Sequence, residues 1–264
     1  MTSSNPPLII LGTGYTGRVL FRQARAGGRI VFAASRHPEN HLTGIPPEQR
    51  LRFDFHDEHT WRALPAQADA VLTFPPVPPD TACAFGKQVL PRLRQLVVLG
   101  STSAYDGSPQ AIRGDIVEET APVDHSIARV QSEELLREQY GAIVLRVAGI
   151  YGPGRNPLDW IRQGRVGYSN RFVNLIHIDD LAAIIMTVLE RGQPGEPYNV
   201  SDGTPRRWSE IMDTAAARWG TPKPLPADPT PGKRISNRKL LDALRYTVRH
   251  PDLFAALDEL EIAR

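Results

Sequence analysis

The sequence predicts an α/β protein built on a doubly wound parallel sheet with a smaller C-terminal lobe. Three observations predict it. Short apolar runs rich in β-branched residues, at 8–11, 30–34, 51–53, 70–74, 96–99 and 142–147, alternate with stretches long enough for helices around 58–64, 81–93 and 127–139. Strands that are apolar on both faces belong to parallel sheets covered by crossover helices. The first run leads at once into Gly12-Thr13-Gly14-Tyr15-Thr16-Gly17 and a helical stretch to about Arg25. After Gly149 the composition changes, with Gly-Pro-Gly at 152–154, an irregular polar stretch to Arg171, and a Pro-rich segment at 222–231. Such segments are loops or linkers rather than core elements.

The first element pair carries the most information. A buried strand, a G-x-G-x-x-G turn, a helix, and a second strand thirteen residues after the last glycine form the βαβ unit that holds a dinucleotide. Gly12 suits the sharp turn, Gly14 lets backbone amides approach a pyrophosphate, and Gly17 lets the helix pack closely on the strand. Tyr15 and Thr16 open the helix, whose N–H groups carry the phosphate charge. The second strand ends Ala34-Ser35-Arg36-His37, with no carboxylate for a ribose 2′-OH. Ser35 and Arg36 suit a 2′-phosphate, so NADP is expected ahead of NAD. Asp54, ending the third strand, is a candidate adenine-side contact, with a turn cap as its competing reading. Thr73 and Pro75, after the fourth run, should pass beside the cofactor at the carboxyl ends of the strands.

These elements place a Rossmann dinucleotide-binding domain at 1–152. The remainder, 153–264, is mixed: 174–192 returns to the Rossmann domain and the rest forms the substrate lobe. Helical periodicity at Asp179–Arg191 and Trp208–Trp219 and in the tail from Asn237 completes the outline.

Composition narrows the function classes. With 31 basic and 29 acidic residues the net charge is +2, and no basic block stands out, which argues against nucleic acid as a partner. A single cysteine, Cys83, excludes an intramolecular disulfide framework and a cysteine-based zinc cluster. The N-terminus has no basic leader and no apolar run of membrane length, so a soluble, cytoplasmic protein without a membrane partner is expected.

Several blocks in order resemble the short-chain dehydrogenase/reductase superfamily, specifically its extended or atypical NAD-dependent epimerase/dehydratase group. Beyond Gly12–Gly17 they are Leu99-Gly-Ser101-Thr-Ser-Ala-Tyr105, Glu118-Glu119 with Pro122, Leu145 through Tyr151-Gly152-Pro153-Gly154-Arg155, Asn174-Leu-Ile-His177-Ile-Asp179-Asp180, Tyr198 through Asp202, and Lys233 through Arg238. The resemblance implies a Rossmann fold with a nucleotide-sugar-epimerase-like lobe, and a turn at Gly152 and Pro153 beneath the nicotinamide. It also implies a homodimer through the helices at about 81–93 and 127–139. His177-Ile-Asp179-Asp180 suggests a metal at first sight. The family likeness, with Asp179 capping a helix from Leu181, favours a structural role and no metal.

The likeness fails at the catalytic motif. The family uses Tyr-x-x-x-Lys on the helix after the serine strand. Anchoring the register on Glu133-Glu134-Leu135-Leu136 puts His125 and Arg129 in those slots. None of the four lysines lies near this helix, and no tyrosine lies between Tyr105 and Tyr140. Ser101 occupies the serine position. The candidate catalytic set is therefore Ser101 as a hydrogen-bond donor, His125 as the proton-transfer group, and Arg129 as an electrostatic partner, neighbours if both sit on one helix. Two functions follow as expectations: an NADP-dependent oxidoreductase or epimerase on a small polar or sugar-derived molecule, or a catalytically impaired NADP(H)-binding sensor.

Overall fold

The computed structural model describes residues 5–73, 78–222 and 231–263. Five expected runs are strands: β1 (Leu8–Leu11), β2 (Val31–Ser35), β3 (Arg50–Arg52), β4 (Asp69–Leu72) and β5 (Gln95–Ser101). With Ile143–Val147 and Pro197–Val200 they make a seven-stranded sheet, ordered Pro197–Val200, Ile143–Val147, β5, β4, β1, β2, β3. The β1–β2, β1–β4, β2–β3 and β4–β5 pairings are parallel, with Leu8 opposite Val31 on one side and Asp69 on the other. The chain winds outward from β1 to β3, then returns to β4 on the other side of β1. This is the doubly wound Rossmann order, and ligands in such sheets bind where the winding reverses, here at the carboxyl ends of β1 and β4.

The chain divides into two compact units: residues 1–100, 125–146 and 182–198 form one, and 101–124, 147–181 and 199–264 the other. In the first, all four β1 and all four β4 residues are buried; β1 is apolar throughout and β4 is apolar after its first residue, Asp69, as strands covered on both faces are. The helix Tyr15–Ala26 buries Val19, Leu20, Phe21 and Ala24. Phe53, Phe55, Trp61 and Phe85 pack edge to face at centroid distances of 5.0–6.3 Å, anchoring one core cluster. At the start of β4, Asp69 is fully buried between two arginines: Arg94 donates through Nε at 2.6 Å and through a terminal nitrogen at 2.8 Å, and Arg29 pairs with the same carboxylate. Paired arginines let a carboxylate sit there, since an isolated charge would cost far more to bury.

The second unit has its own core, including Tyr151, Leu158, Ile161, Leu175, Ile211, Met212, Leu253 and Leu257. Helices Trp208–Trp219, Arg238–Leu244 and Leu253–Ile262 occupy the expected regions. Two local readings need correction. The helix expected from Leu181 begins at Ile178, so Asp179 lies in its first turn rather than capping it. The helix holding Arg129 begins at Ala128 after an extended Ile127, so His125 lies ahead of it and the pair do not share a helix face. Among the described residues no helix is long and apolar enough to cross a membrane.

Candidate functional site

The turn after β1 is shaped by its glycines. Gly12 has φ +92°, a left-handed conformation that L side chains rarely adopt. A β-carbon at Gly17 would meet the Gly12 carbonyl oxygen at 2.8 Å and Ile10 Cγ2 at 3.1 Å, so the helix approaches the strand as closely as only glycine permits. Gly14 differs, because a β-carbon there would meet nothing within 4 Å. It stands at the N-cap of Tyr15–Ala26 with no side-chain cap and no acidic residue in the first turn. The helix therefore presents first-turn N–H groups and its positive dipole end beside open space, which is the arrangement an anion needs.

Neighbouring strands hold this turn in place. Gly12 N and Thr13 N donate to the Ala34 carbonyl at 3.1 and 3.2 Å. Thr73 N donates to the Leu11 carbonyl at 3.0 Å, and the Thr73 hydroxyl donates to the Gly12 carbonyl. Thr73 is thus a brace between the ends of β1 and β4. Pro75 lies outside the described residues.

At the end of β2, Ser35 Oγ is 3.1 Å from His41 Nδ1 and accepts from His37 N at 3.3 Å. Arg36 is exposed and has no ion-pair partner among the described residues. Arg18, missed by sequence reasoning, lies on the first helix and donates to the His41 carbonyl, bringing a second guanidinium to this segment. Asp54 accepts from His56 N at 3.0 Å through Oδ1, and its backbone carbonyl accepts from Trp61 Nε1 at 2.9 Å. Its carboxylate therefore caps a turn. The structure brings the Gly12–Gly17 turn, Thr73 and the end of β2 together within the first unit.

His125 and Arg129 belong to the same unit. His125 is exposed, and its carbonyl accepts from the Gln131 side chain at 2.6 Å. Arg129 donates to Glu133 at 2.8 Å in a largely buried pair, 16% and 5% exposed. Burial pushes the Glu133 carboxyl up, while Arg129 pulls it down. The carboxylate lies against Gly100, where an added β-carbon would come within 2.6 Å of Glu133 Oε2. Next along the helix, burial disfavours the Glu134 carboxylate, yet Arg137 at 2.6 Å and Arg146 at 2.7 Å hold its carboxyl below the ordinary range. The i, i+4 spacing of Arg129 and Glu133 was the one sequence signal for this network.

In the second unit, Ser101 Oγ accepts from Ser103 N at 3.2 Å and from the Ser103 hydroxyl at 3.1 Å, so it caps the short turn after β5. Tyr105 is fully buried and donates to Asn199 Oδ1 at 2.8 Å. Gly152 has φ +147°, and its backbone exchanges hydrogen bonds with Arg155 at 3.3 and 2.9 Å around the exposed Pro153.

The class these features define is the Rossmann-type α/β fold, with a glycine-rich anion turn at the point where the winding reverses. No family profile matches the chain. Its structural neighbours include NAD-dependent epimerase/dehydratase and short-chain dehydrogenase/reductase superfamily proteins. A candidate NAD-dependent epimerase/dehydratase from Methylobacillus flagellatus is 26% identical, covers 99% of each chain and superposes with a TM-score of 0.75. The human epimerase family protein SDR39U1, solved with NADPH, is 20% identical over 98% of this chain and 100% of its own, with a TM-score of 0.71. WbmG of Bordetella bronchiseptica, solved with NAD, is 16% identical over 99% and 96%, with a TM-score of 0.80. The Escherichia coli protein YeeZ is 27% identical over 170 residues, covering 61% of this chain and 60% of YeeZ. The matched region thus spans less than two thirds of that relative.

Proposed function

We propose that the protein binds a nicotinamide dinucleotide at the Gly12–Gly17 turn, prefers NADP, and acts as an oxidoreductase or epimerase on a small polar or sugar-derived molecule. One observation carries the reading: the uncapped start of the helix Tyr15–Ala26 faces open space at Gly14, where the sheet winding reverses. First-turn N–H groups would hold the pyrophosphate. Arg36, exposed at the end of β2, would pair with the 2′-phosphate, and the uncommitted guanidinium supports NADP over NAD. The complexes of neighbouring folds, one with NADPH and one with NAD, support dinucleotide binding in general.

The bound nicotinamide supplies hydride transfer. The chain's own residue for proton transfer is His125, exposed and within reach of solvent. A second reading, a dinucleotide-binding sensor without turnover, is favoured by Arg129. It stands in the family's lysine slot, yet its guanidinium is committed to Glu133 and stays charged, so it cannot shift a proton as lysine chemistry does.

Calorimetry with NADPH and NADH tests the cofactor, and a carbonyl and nucleotide-sugar panel tests turnover. Arg36→Ala should weaken NADPH binding about tenfold to a hundredfold, the equivalent of a charge-assisted contact, and leave NADH nearly unchanged. Equal losses for both would refute the role of Arg36. Tight binding with no turnover across the panel would favour the sensor.

A further inference from the structure

We propose that His177, Asp179 and His250 form a binding site for a divalent transition-metal ion, in the second unit and independent of the dinucleotide reading. His177 ends the strand Leu175–His177, Asp179 lies in the first turn of Ile178–Arg191, and His250 precedes the helix Leu253–Ile262. Folding brings one ligand atom from each to within 4.8 Å of the others. In a tetrahedral site with bonds of about 2.0–2.2 Å, neighbouring ligand atoms lie about 3.3–3.6 Å apart. Closing the remaining distance requires a shift on the order of 1 Å; Asp179 Oδ2 already lies 3.7 Å from His177 Nδ1, on a side chain that is 46% exposed.

Three further features fit a metal site. The His177 and His250 rings are neighbours, with centroids 4.0 Å apart and planes tilted by 33°, and His177 Nδ1 faces the Asp179 carboxylate while accepting only a long hydrogen bond from Asp179 N, 3.3 Å, which an ion would displace. Next, His250 is oriented from behind. Fully buried Asp180 faces its Nδ1 at 2.7 Å and also accepts from Tyr246 Oη at 2.8 Å, Arg249 N at 2.8 Å and His250 N at 2.9 Å. A carboxylate on Nδ1 leaves the Nε2 lone pair for a metal, as in carboxylate–histidine–metal arrangements. Finally, Tyr151 packs edge-on against His177 at 5.2 Å, and its hydroxyl is buried with no hydrogen-bond partner among the described residues. A latch that merely ties the chain around residue 250 to the helix needs only the Asp180–His250 contact. It does not require a second imidazole beside the first or a carboxylate within reach of both. Two imidazoles and one carboxylate are a borderline-hard set suited to Zn2+, with one coordination position left for water or another ligand.

The test uses the full-length chain without a histidine tag, dialysed against chelator and titrated with ZnCl2 by calorimetry and with Co2+ by visible absorption. We expect one ion per chain and the d–d bands of a low-coordinate Co2+ site. His177→Gln should abolish both. Asp179→Asn leaves the Asp180–His250 contact intact and should keep the melting temperature of the ion-free protein, while weakening Zn2+ binding by more than the roughly tenfold to hundredfold that the loss of an outer-shell partner costs. No saturable binding by the wild type, or unchanged affinity in folded Asp179→Asn or His177→Gln, overturns the proposal.

Discussion

Gly14 offers a perturbation whose effects on folding and on ligand binding separate cleanly. An added β-carbon meets nothing within 4 Å, and φ of −82° lies on the side of the map that L residues occupy, with ψ of −148° at the edge of the extended region. The folded chain should therefore accept Gly14→Ala at a cost of no more than about 1 kcal/mol, the loss of a better N-cap residue. A dinucleotide should not accept it, because the new methyl occupies the space through which the pyrophosphate meets the first-turn N–H groups. Overpacking by one methyl costs about 1–3 kcal/mol, so the dissociation constant for NADPH should rise about fivefold to 150-fold. Gly14→Val, branched at Cβ, should abolish binding. Gly17→Ala is the control: its β-carbon strikes the Gly12 carbonyl oxygen at 2.8 Å, and about 1 kcal/mol of improved helix propensity offsets only part of the 1–3 kcal/mol of strain. That variant should lose up to about 2 kcal/mol in urea denaturation. Calorimetry of a folded Gly14→Ala protein decides the matter, and wild-type affinity for NADPH would refute the assignment of this turn.

Four other expectations follow from the same geometry. Asp69→Ala would leave Arg29 and Arg94 facing one another without their shared carboxylate and should cost about 3–5 kcal/mol in urea denaturation; a loss below 1 kcal/mol would contradict the clamp. Tyr105→Phe removes a buried hydrogen bond to Asn199 and should lower stability by about 1 kcal/mol without changing turnover, whereas a collapse in turnover would move proton transfer to Tyr105. If the protein turns over, His125→Ala should reduce the rate about 10²–10⁴-fold at unchanged NADPH affinity, and an unchanged rate excludes His125. The Asp202 carboxyl is raised to about 6 by burial, against the Thr204 amide and Arg206, while the unfolded chain titrates near 3.9. Between these values the folded state holds a proton that the unfolded state lacks. This group's contribution is therefore most favourable below about pH 4 and falls by about 3 kcal/mol as pH rises through 6. Asp202→Asn should flatten that part of the stability profile, and an identical slope in wild type and variant would show that another group causes it.

The amino-acid sequence by itself determined the elements whose causes are local. The run at 8–11 and residues 70–72 are apolar because both faces of those strands are covered. The glycine spacing at 12, 14 and 17 is legible because one position needs φ +92° and another tolerates no β-carbon. The missing carboxylate after β2 and the missing Tyr-x-x-x-Lys were equally plain, since each concerns which residue types are present. The start of the helix holding Arg129 was less legible, because Ser126 and Ile127 are weak signals and three residues of register moved His125 off it. Tertiary structure alone decided the partners. Thr73 braces the Gly12 carbonyl from 61 residues away, Asp69 gathers Arg29 and Arg94, and His177 meets His250 across a long stretch of chain. Periodicity and propensity report which way a side chain faces and which backbone it prefers. Which distant group it meets depends on how strands are ordered and helices packed, and that order is set by burial summed over the whole chain.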